Sequence, residues 1–209
     1  MRSAGQQRRG TPAEDDIFRA AAADLYAGRE AQRPIRPQVT FDDVAAPKTL
    51  APYAAAIAAT VCSPVDEVDV GWGRLVLLYD PDGQEGWAGP FRLIAYLRAE
   101  VEPELAADPL LAEVSWSWLT EALDTGTAGY AAPSGTVTRV ITEGFGGKQD
   151  EPATTGLEIR ASWSPVAPGA DPPPMAGHVT AWCDALCTAA GLPPAPAGVR
   201  VMPPRRRCP

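Results

Sequence analysis

Few residues in this chain could carry acid–base or metal chemistry. His178 is the one histidine, and nucleophilic triads and most zinc sites need at least one. Cys183 and Cys187 stand four residues apart and could share a metal ion, but on a helix His178 points about 140° away from Cys183. A metal would need two ligands from elsewhere, so two reduced thiols packed in a core are the simpler interpretation.

Short catalytic and phosphate-binding motifs are also missing. The segment GFGGK (144–148) contains glycines and a lysine, but a phosphate loop needs glycine and Ser/Thr where this chain has Thr142 and Gln149. These glycines therefore indicate a turn. No G-x-S-x-G elbow occurs in the sequence. We predict no catalytic residue, no metal and no cofactor.

One set of charged and hydroxyl side chains is the remaining candidate site. Apolar and polar residues alternate over 91–101 and again over 157–163, which is typical of strands with one wet face. The candidate binding residues on that face are Arg92, Arg98, Glu100, Thr136, Thr138, Glu158 and Arg160, with Ser162 beside them.

Three interpretations of that wet face are open. Its arginines could receive a carboxylate, a phosphate or an acidic peptide, so the partner would be a protein or a small anionic ligand. Its Arg and Glu residues could instead form a solvated ladder of cross-strand ion pairs. Glu100, Glu102 and Glu104 could supply paired carboxylates, although Pro103 at the strand end favours a solvated acidic loop.

The wet face belongs to a predicted antiparallel sheet. Residues 74–80 and 91–101 form a hairpin around the turn Asp80-Pro81-Asp82-Gly83, and 135–145 and 157–163 form a second one. Amphipathic or alanine-rich helices are predicted over 15–29, 51–61, 108–123 and 171–190. We therefore expect an α+β fold with a four-stranded antiparallel sheet and helices packed on one face. The hairpin–helix order occurs twice, which suggests an internal duplication.

The helix predicted over 108–123 is the most apolar of the set. Asp108 is expected to cap its first turn, and Pro109 suits its first helical position. On a helical wheel Trp118 lies at the centre of the apolar arc. We therefore expect Trp118 to matter more for folding than any polar residue does for chemistry.

Charge is distributed unevenly along the chain. Seven of the 18 basic residues lie in the two ends, which contain no acid, so the middle has 11 basic against 26 acidic residues. An acidic body repels phosphate backbones, so nucleic acid is an unexpected ligand. The organisation predicted is a disordered basic N-terminus (1–13), a single α+β domain (14–192) and a Pro/Arg-rich flexible tail (193–209). The sequence has no apolar run of membrane length and no secretory signal, so we expect a cytoplasmic protein with reduced cysteines.

Several segments resemble a known family. They are GRLVLLYDP (73–81), FRLIAYLRAEVEPELAADPLLAEVSWSWLT (91–120), EIRASWSP (158–165) and AWCDALCTAAGLPPAP (181–196). Together they resemble the actinobacterial family catalogued as domain of unknown function 3000, over about residues 15–196. The resemblance implies no activity, cofactor or substrate.

The function expected from these observations is a non-catalytic binding or adaptor module. A small-molecule-binding protein or an enzyme that uses the Arg/Glu/Thr face is the alternative. An RNA-associated factor, suggested by the arginine-rich ends, is a third possibility. A deep pocket over the wet face would favour the second of these functions, and a flat, exposed face would favour the first.

Overall fold

The computed structural model describes residues 11–126 and 129–193. The predicted N-terminal segment and tail therefore fall mostly outside the described residues. In chain order the main elements are α1 Pro12–Gln32, β1 Val39–Asp43, β2 Tyr53–Cys62, β3 Asp69–Tyr79, β4 Phe91–Glu100, α2 Pro103–Ala107, α3 Leu111–Thr125, β5 Gly129–Thr142, β6 Thr154–Val166 and α4 Ala176–Ala189. No helix in this described part is long and apolar enough to cross a membrane.

The six strands of the described residues belong to one antiparallel sheet in the order β1-β2-β3-β4-β6-β5. The α+β class, the antiparallel sheet and both hairpins are confirmed. The number of strands was wrong, because the sheet has six and not four. Its two further strands are β1, in a segment for which no element was predicted, and β2, within a segment predicted to be a helix.

The alanine-rich segment of β2 forms a strand despite the helix propensity of alanine. Ala55 and Ile57 are buried in the main core, and Ala56 is buried on the opposite side of the sheet. A strand between β1 and β3 buries both of its faces, whereas an amphipathic helix would bury one. Tertiary packing therefore overrides the local preference.

The main core lies between the sheet and three helices. α4 packs over the middle of the sheet, with α1 and α3 on either side of it. Trp163 and Trp182 are fully buried there. A side chain at Gly73 of β3 would crowd α4, because a Cβ there would lie 3.0 Å from the Trp182 ring and 3.0 Å from the Leu186 side chain. Glycine at this position therefore allows α4 to approach the sheet closely.

The prediction that Trp118 is the centre of a buried face was wrong. α3 begins at Leu111, and its buried residues are Leu111, Ser115, Leu119 and Leu123. Trp118 is only partly buried, at the side of that stripe. The serine is accommodated in the core because its hydroxyl donates to the Leu111 carbonyl one turn earlier. A wheel shows where apolar residues cluster, but packing decides which part of a broad apolar arc meets the sheet.

The two hairpins are arranged symmetrically in the sheet. β4 pairs with β6, so β3-β4 and β5-β6 lie side by side in opposite orientations. Each hairpin is followed by one of the two helices α3 and α4, which pack against each other. This arrangement is compatible with the internal duplication, which stays a prediction.

A smaller cluster covers part of the sheet surface opposite the helices. Ala56, Val76 and Leu78 are buried there by segments that precede β2 and by the β3–β4 loop, which contributes Trp87. The covered half lies near the start of β4. No other described segment covers the second half of this surface, near the start of β3 and the end of β4.

Candidate functional site

The uncovered half of the sheet carries most of the predicted site residues. Two neighbouring rows cross β3, β4, β6 and β5 there: Trp72, Arg98, Glu158 and Thr138 form one, and Arg74, Tyr96, Arg160 and Thr136 form the other. Alternate residues of a strand point to the same side, so these side chains share one surface. We call the surface of Trp72, Tyr96, Arg98, Thr136, Thr138, Glu158 and Arg160 the open face.

Aromatic and charged groups are in contact at the middle of the open face. The Arg160 guanidinium lies 5.4 Å from the centroid of the Tyr96 ring, and its Nη2 is 3.2 Å from the Glu158 carboxylate. The Trp72 ring is 5.6 Å from the Tyr96 ring. Burial, and then the neighbouring Glu158 carboxylate, raises the pKa of Tyr96. The phenol therefore stays neutral and packs as part of an aromatic surface.

The exposure of these groups shows which of them are available to a partner. Trp72 is 40% exposed. The Arg160 side chain is 66% exposed even though it pairs with Glu158, which is 18% exposed. Arg98 is exposed and forms no ion pair with another described residue. A cation–π contact and an exposed ion pair each contribute at most about 1 kcal/mol, so Arg160 can exchange these contacts for a ligand, and Arg98 has no such contact to give up.

Glu100 lies at one end of the open face. It is exposed at the end of β4 and borders a groove of about 250 Å³ with Trp72 and Arg98. A second groove, of about 370 Å³, lies at the covered half of the sheet next to Trp87. Both grooves are open to solvent, and two members of the open face, Trp72 and Arg98, line the first one.

Arg92 does not project into water with the other predicted residues. It is only 6% exposed, beneath the β3–β4 loop and beside an irregular part of β5. Its guanidinium donates to the Ala132 carbonyl at 3.0 Å and to the Ser162 hydroxyl at 2.7 Å. Longer hydrogen bonds reach Ser134, Ser164 and the Ser162 carbonyl. Burial lowers the pKa of Arg92. This arginine therefore joins β4 to the shifted part of β5 and to β6.

The histidine and the cysteine pair belong to the core. His178 is buried, and its Nδ1 accepts a hydrogen bond of 3.1 Å from the Trp163 indole. Cys183 and Cys187 are buried free thiols. The Cys187 thiol, and then burial, raises the pKa of Cys183. Within residues 11–126 and 129–193, no three His, Cys, Asp or Glu side chains are grouped closely enough to hold a metal ion.

The buried imidazole should make stability depend on pH. Burial lowers the pKa of His178 to about 4, below the value of about 6.5 in an unfolded chain. The unfolded chain therefore binds a proton in this interval that the folded protein does not bind. Stability from the neutral imidazole is complete above pH 6.5 and is lost as the pH falls towards 4. Between pH 7.5 and 5 the free energy of unfolding should fall by about 2 kcal/mol.

Urea unfolding at pH 7.5, 6.5, 5.5 and 5 measures this dependence. His178→Gln is the matched variant, because an amide oxygen can accept from the Trp163 indole but does not titrate. The variant should have a flatter profile over the same interval. Equal slopes for the two proteins would assign the pH dependence to other groups.

Sequence reasoning missed Trp72 as a member of the open face. The strand was predicted to begin at Arg74, whereas β3 begins at Asp69. Glycine flanks the tryptophan on both sides, which weakens the pattern of a strand. The alternation of side-chain direction, extended two residues back from Arg74, would have placed Trp72 on the wet face.

A family model described as a protein of unknown function (DUF3000) matches residues 14–200. No curated protein matches the chain, and no solved structure matches it.

Proposed function

We propose that this chain, which belongs to the DUF3000 family of proteins of unknown function, is a non-catalytic binding module that receives an acidic segment of a partner protein on its open face. The observation that carries the proposal is the contiguous group of Trp72, Tyr96, Arg98 and Arg160 on an uncovered sheet surface.

The composition of this group supports a protein partner. Tryptophan, tyrosine and arginine are the residues that most often dominate the binding energy of protein interfaces. Trp72 presents a large ring that is 40% exposed and held in place by its contact with Tyr96. A pre-positioned ring loses little conformational entropy when a partner covers it.

Charge supports an acidic segment. The chain has a net charge of -8, yet Arg98 and Arg160 stand on the open face with Glu158 as the carboxylate between them. Guanidinium groups form charge-assisted hydrogen bonds with carboxylates in a fixed, paired geometry. A local positive surface on an acidic protein also selects against basic partners.

The shape of the open face favours this function over a small-molecule site. Small ligands are usually held in concave pockets that bury most of their surface, whereas the groove at the open face and the groove beside it are both open to solvent. An RNA-associated role would need a broader basic surface to offset the repulsion of phosphates by the acidic body.

Titration with a defined acidic peptide tests the site directly. We expect deca-glutamate, added to ¹⁵N-labelled protein at low salt, to shift the Trp72 indole signal and the amide signals of Arg98 and Arg160. The double variant Arg98→Glu/Arg160→Glu should bind at least about tenfold more weakly, because it repels the peptide. Shifts confined to other surfaces, or unchanged binding by the variant, would contradict the proposal.

Arg19→Glu/Arg33→Glu is the matched control. It makes the same change in net charge on α1 and at the residue that follows it, where both arginines already pair with acidic residues of that helix. It should bind the peptide about as well as the unchanged protein. Pull-downs from native lysate with all three proteins then identify the natural partner as the protein that only the open-face variant fails to retain.

A further inference from the structure

The outer edge of β5 is long and exposed. β5 is the last strand of the sheet and pairs with β6 on one side only among the described strands. It spans 14 residues, none of which is fully buried. A long exposed edge presents a row of backbone N–H and C=O groups that can pair with another strand.

The two edges of the sheet are protected differently. β1 is five residues long and ends in Asp42 and Asp43, and short length and charge are the usual ways of preventing edge pairing. Beyond its irregularity between Ala131 and Ser134, β5 continues as SGTVTRVIT (134–142), in which six residues are β-branched and Arg139 is the one charged residue. This composition favours pairing with a further strand.

We propose that β5 pairs antiparallel with β5 of a second copy of this chain across a twofold axis, which joins the two six-stranded sheets into one. An identical strand is a suitable partner because the edge is self-complementary under twofold symmetry. The segment 134–142 carries a single charge, Arg139, and that guanidinium donates to the Ala106 and Asp108 carbonyls, so the strands carry little like charge to oppose pairing although each chain has a net charge of -8.

The side chains favour one register of this pair. Two residues that stand opposite each other in an antiparallel pair point to the same side of the sheet. The twofold axis must therefore lie between the two copies of one residue, because an axis between successive residues would pair side chains of opposite sides. An axis at Arg139 would set two guanidiniums against each other, which is unfavourable. An axis at Thr138 places two threonines together and sets Gly135 opposite Ile141 of the second copy.

This register covers exposed apolar surface. Ile141 is 63% exposed in the single chain. The Trp116 ring lies against Gly135, so closely that a Cβ there would be 2.6 Å from it. The isoleucine of one copy would therefore pack beside the tryptophan of the other, twice per dimer.

Pairing would also join the two open faces. Thr136 and Thr138 lie on β5 in the rows that contain Arg160 and Arg98, so both copies contribute hydroxyls to the centre of one continuous surface. The joined surface would bind an acidic partner at two places, and this part of the inference rests on the proposed function. The pairing of β5 is independent of the proposed function.

Light scattering after size exclusion measures the assembly. At concentrations from about 5 to 200 µM the protein should approach twice its chain mass of 22.0 kDa. Thr138→Lys and Thr138→Glu should each stay near 22.0 kDa, because like charges meet at the axis. An equimolar mixture of these two variants should regain the dimer mass, which also shows that both are folded.

Thr40→Lys is the matched control, because it places the same charge on an exposed position of β1, the other edge. It should stay dimeric. A monomeric unchanged protein at 200 µM, or a dimer that survives both Thr138 variants, would overturn the proposal. Arg98→Glu/Arg160→Glu should keep the dimer mass while it loses the peptide, so failure of the binding site and failure of the pairing are separate results.

Discussion

Replacing Trp182 with alanine should lower the free energy of unfolding by about 3–5 kcal/mol, because a fully buried ring is removed and a cavity is left. Trp182 has no exposed surface and lies between Gly73 and the Phe41 ring, whose centroid is 6.5 Å away. A domain of this size has only about 5–15 kcal/mol of stability. The variant should therefore unfold at a much lower urea concentration and bind hydrophobic dyes.

Trp118→Ala is the matched comparison on α3. Trp118 is partly buried, so its removal should cost about 1–2 kcal/mol, from the smaller area returned to water. Urea midpoints of both variants decide the order. A larger loss for Trp118 than for Trp182 would show that α3 presents a different face to the sheet from the one described.

Replacing Arg92 with alanine should cost about 2–4 kcal/mol, because a buried side chain is removed and the partly buried carbonyls of Ala132 and Ser162 lose its hydrogen bonds. Both carbonyls accept from this guanidinium. Arg92→Lys should recover only part of the loss, since one ammonium group cannot reproduce the spread of a planar guanidinium. Hydrogen exchange should become faster in β5, which this arginine ties to β4.

Arg160→Ala is the control for Arg92, because it removes an exposed arginine from the same face of the sheet. Its loss of stability should be under about 1 kcal/mol, as for other exposed ion pairs. Urea unfolding measures both substitutions. Comparable costs for the two arginines would contradict the assignment of Arg92 to structure and Arg160 to binding.

Local patterns predicted the part of the fold that depends on local physics. Alternation over Phe91–Glu100 and a turn signature before it specify a hairpin without reference to the rest of the chain. β2 could not be predicted in this way. Alanine favours a helix by itself, and it is neighbouring strands and cover on both faces that make Tyr53–Cys62 a strand.

The candidate site, too, was predictable from local patterns only in part. The period of two placed Arg98, Glu158 and Arg160 on one side of the sheet, and the structure brings them into adjacent rows. Arg92 points to the same side of the sheet, but it lies under the β3–β4 loop and is buried. The direction of a side chain follows from its position in the strand. Its exposure depends on whether a segment from another part of the chain covers it.

By itself, then, the amino-acid sequence determined the α+β class, the two hairpins and the side of the sheet on which each polar residue stands, because these follow from backbone periodicity and turn chemistry over a few residues. Only the tertiary structure decided that the sheet has six strands, that Trp182 and not Trp118 lies in the core, and that Trp72 joins the arginines of the open face. Strand order, register and loop cover bring together residues far apart in the chain, and no local pattern contains that information.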